Sequence, residues 1–320
     1  TSDPVPGGTY LTIVTRGITT TEPGIYEDYV KELRVLAFDK AGNKVINELL
    51  TDLPDETEPN SYVEVATKEL PAGTISSGVY TFYFVANEDG YKTTTSNETL
   101  TQALDAVSTE AELKSIQVKT ELTPDDQIKP SATTMLMSTE PYPALIYEGE
   151  VNKIGEKNHI ELIRAFAKAQ LALKLKEDGN TSTNLTVTSV TLNGSYPDSF
   201  YLIGGNTNEG ATASFTNRAI SGNGTLFSGS TTPAPFYVSE TIYLPEYKSY
   251  TGDNALNYSI IIAGDDKSYS APVSEDNTIE RNTAYTTIGT YDPAVEVNNI
   301  QFQWVVAQFA SVDIDVPSFN

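Results

Sequence analysis

Apolar and polar positions alternate in short runs along most of the chain, broken by Gly, Pro, Asn and Asp. Because successive side chains of an extended strand point to opposite faces, this pattern predicts antiparallel strands joined by turns. The clearest runs are 33–38, 62–66, 79–86, 185–192, 242–244, 258–263 and 300–306. Residues 30–39 and 44–46, on either side of Lys40-Ala41-Gly42-Asn43, read as a hairpin with a glycine-containing turn. Helical spacing is concentrated in 99–118, where Leu100, Leu104, Val107, Leu113 and Ile116 predict two short helices or one broken one. The stretch 159–175 fits both periods, since its Ala, Leu and Lys content suits a helix while Leu171, Leu173 and Leu175 alternate. The expected class is all-β, with short helices in the first half.

Length adds an organisation. A chain of 320 residues is long for one sandwich and sufficient for two domains. The polar, glycine-containing stretch 148–158 lies between two apolar runs and places the expected boundary there, giving domains 1–150 and 151–320. The Gly-, Asn-, Ser- and Thr-rich segment 204–232 reads as a long hairpin or surface loop, because Phe215, Ile220, Leu226 and Phe227 interrupt it.

The ends of the chain are the most informative. Ala310-Ser311-Val312-Asp313-Ile314-Asp315-Val316 alternates strictly, with Ala310, Val312, Ile314 and Val316 on one face and the polar residues on the other. Such a strand needs an apolar groove for one face and a sheet edge for its backbone, in its own domain or in another subunit. Burying Val312, Ile314 and Val316 would contribute about 5–9 kcal/mol before ordering entropy. At the other end, Tyr10-Leu11-Thr12-Ile13-Val14-Thr15 is a short strand, and the Thr/Pro/Gly-rich stretch from Arg16 to Gly24 reads as an exposed, cleavable loop. Of the arginines Arg16, Arg34, Arg164, Arg218 and Arg281, Arg16 alone lies between a terminal strand and such a linker, where it is either a processing point or a solvated side chain.

Charge narrows the partners. A formal charge of -23 offers no electrostatic footprint for nucleic acid and disfavours an anionic bilayer. It suits a solubilising surface outside the cell. No apolar run approaches the length of a membrane-spanning helix. The absence of cysteine removes disulfides, thiolate metal sites and thiol nucleophiles, and points to an exported bacterial protein or a cytosolic one. The chain opens at Thr1 without a signal peptide, as expected of a mature form or of a chain cut below its targeting segment.

Catalytic readings find little support. His159 is the only histidine and no G-x-S-x-G elbow accompanies it. The 43 acidic residues allow many carboxylate pairs without singling one out. Asp125-Asp126 and Asp265-Asp266 lie in loop-like contexts but follow no EF-hand spacing, and Gly204-Gly205 lacks the Lys-Ser/Thr of a phosphate loop. No enzyme activity, cofactor or metal is expected. The tyrosines would suit a sugar-binding face or the strands' own packing.

Several segments, in order, resemble the fimbrillin family of Bacteroidales, the FimA-like and Mfa-like subunits of type V pili. They are residues 30–39 with Gly42, Tyr83-Phe84-Val85-Ala86-Asn87, residues 160–168, Tyr243-Leu244-Pro245-Glu246, residues 279–285 and Trp304. The resemblance implies two tandem transthyretin-like β-sandwich domains, strands rather than a helix in 159–175, and export through the outer membrane as a lipoprotein precursor to a surface fimbrium. It also implies polymerisation by strand exchange in support of cell adhesion. An arginine-specific protease would cut between Arg16 and Gly17, Leu11 and Ile13 would fill the groove beforehand, and Ala310, Val312, Ile314 and Val316 would supply the donor strand. Partners would be other pilin subunits, in a homopolymer or a mixed fibre, the processing protease and a host surface receptor. A tip or anchor subunit, or a surface glycan-binding lipoprotein, are the alternatives. The lipid-bearing cysteine of such a precursor is expected upstream of Thr1.

Overall fold

The computed structural model describes residues 7–16, 30–53, 62–73, 75–120, 135–176, 185–205, 213–222, 225–227, 237–246, 255–264, 267–292, 295 and 300–308. The chain divides into two units. The first comprises Thr1–Lys119, Pro130–Ala165 and Ser199–Asn206; the second comprises Thr120–Lys129, Phe166–Asp198 and Thr207–Asn320. The chain crosses between the units more than once, one crossing lying between Ala165 and Phe166, and residues 151–154 form a strand paired with the first strand of the chain.

The first unit contains β1 (Thr9–Arg16), β2 (Leu33–Phe38), β3 (Lys44–Leu50), β4 (Tyr62–Leu70) and β5 (Gly78–Ala86), then α1 (Leu100–Ala106) and α2 (Glu110–Ser115). It continues with β6 (Gln117–Lys119), β7 (Met137–Ser138), β8 (Tyr142–Ile146), β9 (Val151–Ile154) and β10 (Ile163–Arg164). One sheet runs β10-β7-β5-β2-β3, with β8 also on β5, and a second runs β4-β1-β9. β2 is buried at every position, as befits a central strand between β3 and β5. Its hairpin turn is built by Asp39, whose Oδ1 accepts from the N–H groups of Ala41 and Asn43, and by Gly42 at φ +81, a conformation that favours glycine.

The helices are the two predicted. With 7 and 6 residues they are too short to stand alone, and each carries a capping box, Thr99 with Gln102 and Thr109 with Glu112. Leu100, Leu104 and Leu113 are fully buried, so packing as well as capping holds them.

The second unit contains β11 (Phe166–Leu175) and β12 (Leu185–Tyr196). β13 (Ser199–Tyr201) belongs to the first unit and pairs with β6. There follow β14 (Ala213–Ala219), β15 (Thr225–Phe227), β16 (Tyr237–Val238), β17 (Ile242–Pro245), β18 (Asn257–Ile262), β19 (Ser268–Pro272), β20 (Thr283–Tyr291) and β21 (Ile300–Gln308). Their two sheets run β16-β11-β20-β21, with β17 on β11, and β14-β12-β18-β19, with β15 on β12. The ambiguous stretch 159–175 is thus strand from Ile163 onward. β11 lies between β20, parallel to it, and the antiparallel β16 and β17; Lys168, Gln170 and Lys174 interrupt its apolar residues and are only half-buried. Gly289 on β20 allows the ring of Phe302 and the side chains of Leu173 and Ile300 to close over the backbone. The fold is all-β, with two short helices among the described residues.

Candidate functional site

The three-stranded sheet holds the N-terminal strand in its middle. β1 runs antiparallel to β4, from Thr9 opposite Leu70 to Arg16 opposite Tyr62, with an irregularity between Ile13 and Val14. On its other side it runs parallel to β9, Tyr10 to Ile13 facing Val151 to Ile154. Alternation puts Leu11 and Ile13 on one face, and both are 4% exposed. Tyr10 and Thr12, on the opposite face, are 4% and 2% exposed, so the strand is covered on both faces. Sequence reasoning named Leu11 and Ile13 alone. The nearly unbroken run Tyr10-Leu11-Thr12-Ile13-Val14 was the available signal for a strand buried on both sides.

Polar contacts fix the strand's position. The hydroxyls of Thr12 and Thr67 are 3.0 Å apart across the β1–β4 ladder. At the start of β1, the Gly149 N–H donates to Thr9 Oγ1 (2.8 Å) and the Tyr10 N–H to the Glu150 carbonyl (2.9 Å). The buried Asn152 side chain accepts from the Tyr147 N–H at 2.9 Å and donates to the carbonyls of Tyr147 (3.0 Å) and Tyr10 (3.4 Å). One amide therefore closes the turn before β9 and holds β1 against it. Gly8 leaves space that a Cβ would take from the Tyr10 ring, 2.7 Å away. An ion pair between Lys68 and Glu48 ties β4 to β3 of the larger sheet.

Arg16 is the last residue of β1. Gly17 and the tail residues Ala310, Val312, Ile314 and Val316 lie outside the described residues, as do Asp125, Asp126, Asp265 and Asp266. Other arginines are engaged within the fold. Arg34 is buried, and its Nε and Nη2 donate to the two oxygens of buried Glu88 at 2.7 and 2.6 Å. Arg281 pairs bidentately with Glu246, and Arg164 and Arg218 lie inside β10 and β14.

Several buried ionisable groups are engaged in hydrogen bonds within the first unit. Burial pushes the Glu32 carboxyl above the ordinary glutamate range; a hydrogen bond from the Asp89 N–H opposes this, while Glu88 and Asp89 reinforce it. Burial raises the Tyr83 hydroxyl, and its donation to Glu110 at 2.6 Å raises it further and lowers Glu110. His159 is exposed. Among the described residues no group of three His, Cys, Asp or Glu is placed to hold a metal, and no helix is long and apolar enough to cross a membrane.

The family model of the major fimbrial subunit protein (FimA) matches residues 9–224, which begin with the first residue of β1. No curated protein sequence matches the chain. Among solved structures, the tip fimbrial protein Mfa3 from Porphyromonas gingivalis, with a C-terminal truncation, shares the fold at a TM-score of 0.56 and 15% identity. That match covers 94% of this chain and 99% of the other. A fimbrial assembly protein from Parabacteroides distasonis ATCC 8503 matches at a TM-score of 0.51 and 16% identity, over 94% of this chain and 96% of the other.

Proposed function

Because this chain belongs to the major fimbrial subunit protein (FimA) family, we propose that it is a structural pilin that polymerises by loss of β1 and entry of another subunit's terminal strand. One observation carries the reading: β1 is a central strand whose residues Tyr10 to Ile13 are buried on both faces. Hydrolysis of the Arg16–Gly17 bond by an arginine-specific protease would release it. A gap would open between β4 and β9, each left with unpaired backbone groups on the side that β1 had filled.

Uncovering the places of Tyr10, Leu11 and Ile13 costs about 5–9 kcal/mol at ~1.5–3 kcal/mol per side chain, and a donor strand restores it. The tail with Ala310, Val312, Ile314 and Val316 is the proposed donor. Arg16 is the favoured cutting point because it ends the strand to be released, whereas Arg34 is 2% exposed and Arg281 is engaged bidentately by Glu246. The partners are other fimbrial subunits at the cell surface, with a host receptor as a further partner. Export as a lipoprotein precursor, and a transthyretin-like sandwich in each unit, complete the proposal.

Treating the full chain with an arginine-specific protease tests it. The expected product is a ladder of oligomers resistant to denaturing gel buffer, formed by the wild type and lost in Arg16→Ala. Trimmed protein that stays monomeric would overturn the reading.

A further inference from the structure

A strand at the margin of a sheet leaves one row of backbone N–H and C=O groups unpaired, a template on which another chain can pair. Folded chains blunt such margins with charges, prolines, bulges or short strands. Among the described residues, every margin of this protein but one is blunted in these ways. β8, β17 and β19 contain Pro143, Pro245 and Pro272. β3, β4 and β14 carry the charged residues Glu48, Lys68 and Arg218, and each has an irregular register against its neighbour. β9 carries Lys153, and β6, β10, β13, β15 and β16 are two or three residues long.

The exception is β21. It ends the order β16-β11-β20-β21, so among the described residues it has a strand neighbour on one side only. Its 9 residues pair with β20 without a break in register, from Ile300 opposite Tyr291 to Gln308 opposite Thr283. They include no charged residue, proline or glycine. Trp304 fixes the middle of the strand, its Nε1 donating to the Pro272 carbonyl on β19 at 2.9 Å. Val305 and Val306 are 49% and 58% exposed, and no large apolar side chain among the described residues is more exposed than Val306.

We propose that β21 is a docking edge for β21 of a second copy of this chain, the two strands running antiparallel with Trp304 opposite Trp304. Every other described margin of a copy is blunted, so its β21 is the edge that fits. This register matches the whole strand, and each pair, such as Gln303 with Val305, joins positions on the same face of the sheet. It also brings Phe302 of each copy beside the exposed Val306 of the other. Charge selects the same place. Each copy carries a formal -23 and repels another over most approaches. β21 and its successive neighbours β20 and β11 contain no Asp or Glu, so two copies meet there without opposed carboxylates. The contact is two-fold and closes at a dimer. One strand pair stays below the roughly 1,200 Å² of a stable interface, so it is weak alone and gains strength where many copies are held side by side. It requires no loss of β1, and it supplies a contact between subunits separate from the strand replacement proposed above.

Sedimentation equilibrium of the untrimmed full chain tests this. At about 1 mM, where weak contacts are populated, the wild type should show a reversible monomer–dimer equilibrium. Gln303→Glu with Val305→Glu sets two like-charged pairs across the dyad and should weaken dimerisation by about tenfold or more. Gln303→Lys with Val305→Glu alters the same two exposed positions but sets opposite charges against each other, and should restore the dimer. Wild type that stays monomeric, or a Glu/Glu variant that dimerises as well as wild type, would overturn the proposal. So would a Lys/Glu variant no better than the Glu/Glu one, or open-ended oligomers, which require contact between two different edges. Ladders formed by trimmed protein in any of those cases would leave the strand-replacement reading standing.

Discussion

Arg34 has almost no access to water, at 2% exposure, so its donors must find protein oxygens. Glu88 supplies two, Asn47 Oδ1 lies 2.8 Å from Nη1 and Asp105 lies 2.8 Å from Nη2. Removing one partner of such a pair leaves a buried charge, and Glu88→Ala should destabilise the protein by about 3–5 kcal/mol in urea unfolding. Asp89→Asn, which disrupts the exposed pair with Lys31, should cost less than about 1 kcal/mol in the same measurement. Glu32 provides a pH signature. Its folded-state pKa is raised, first by burial, so the stability linked to it is full below the ordinary glutamate pKa and is lost as pH rises through the folded value. Glu32→Gln should therefore flatten the decline in urea midpoint as pH rises above the ordinary glutamate pKa of about 4.3. The Arg34–Glu88 partnership was invisible in the sequence, since the two residues are 54 apart and no local pattern marks them as a pair.

At the scale of elements, much of the fold was legible. The runs 33–38, 79–86 and 300–306 are β2, β5 and β21 to within a few residues, and leucine spacing located α1 and α2. What alternation could not reveal was pairing. The polar stretch expected to separate two domains contains β9, whose neighbour is β1, the first strand; Asn152 and Tyr10 are 142 residues apart. For the same reason Leu11 and Ile13 were readable from their own strand, whereas Thr67, Asn152 and the covered face of Tyr10 and Thr12 depend on register with distant segments. Asn152 holds the start of β1 through contacts that alanine cannot make. Asn152→Ala should speed hydrogen exchange of the Tyr10 amide and cutting at Arg16, while amides of β11 in the other unit keep their exchange rates.

For the whole molecule, the charge of -23 means that subunits meeting end to end repel one another. Raising salt from about 10 mM to about 150 mM shortens the screening length from about 30 Å to about 8 Å. Ladder formation by trimmed protein should accelerate accordingly, as followed by time-resolved gels, with the same final yield. The position of β1 also has a mechanical meaning. A strand at a sheet margin can be peeled away, its bonds failing in succession under a small force. A strand locked between an antiparallel and a parallel neighbour is loaded in shear when pulled along its length, and both rows of bonds share the force together. Joints made at that position would hold like rivets rather than zippers, and a fibre of them would stretch or unfold elsewhere before its subunits slid apart.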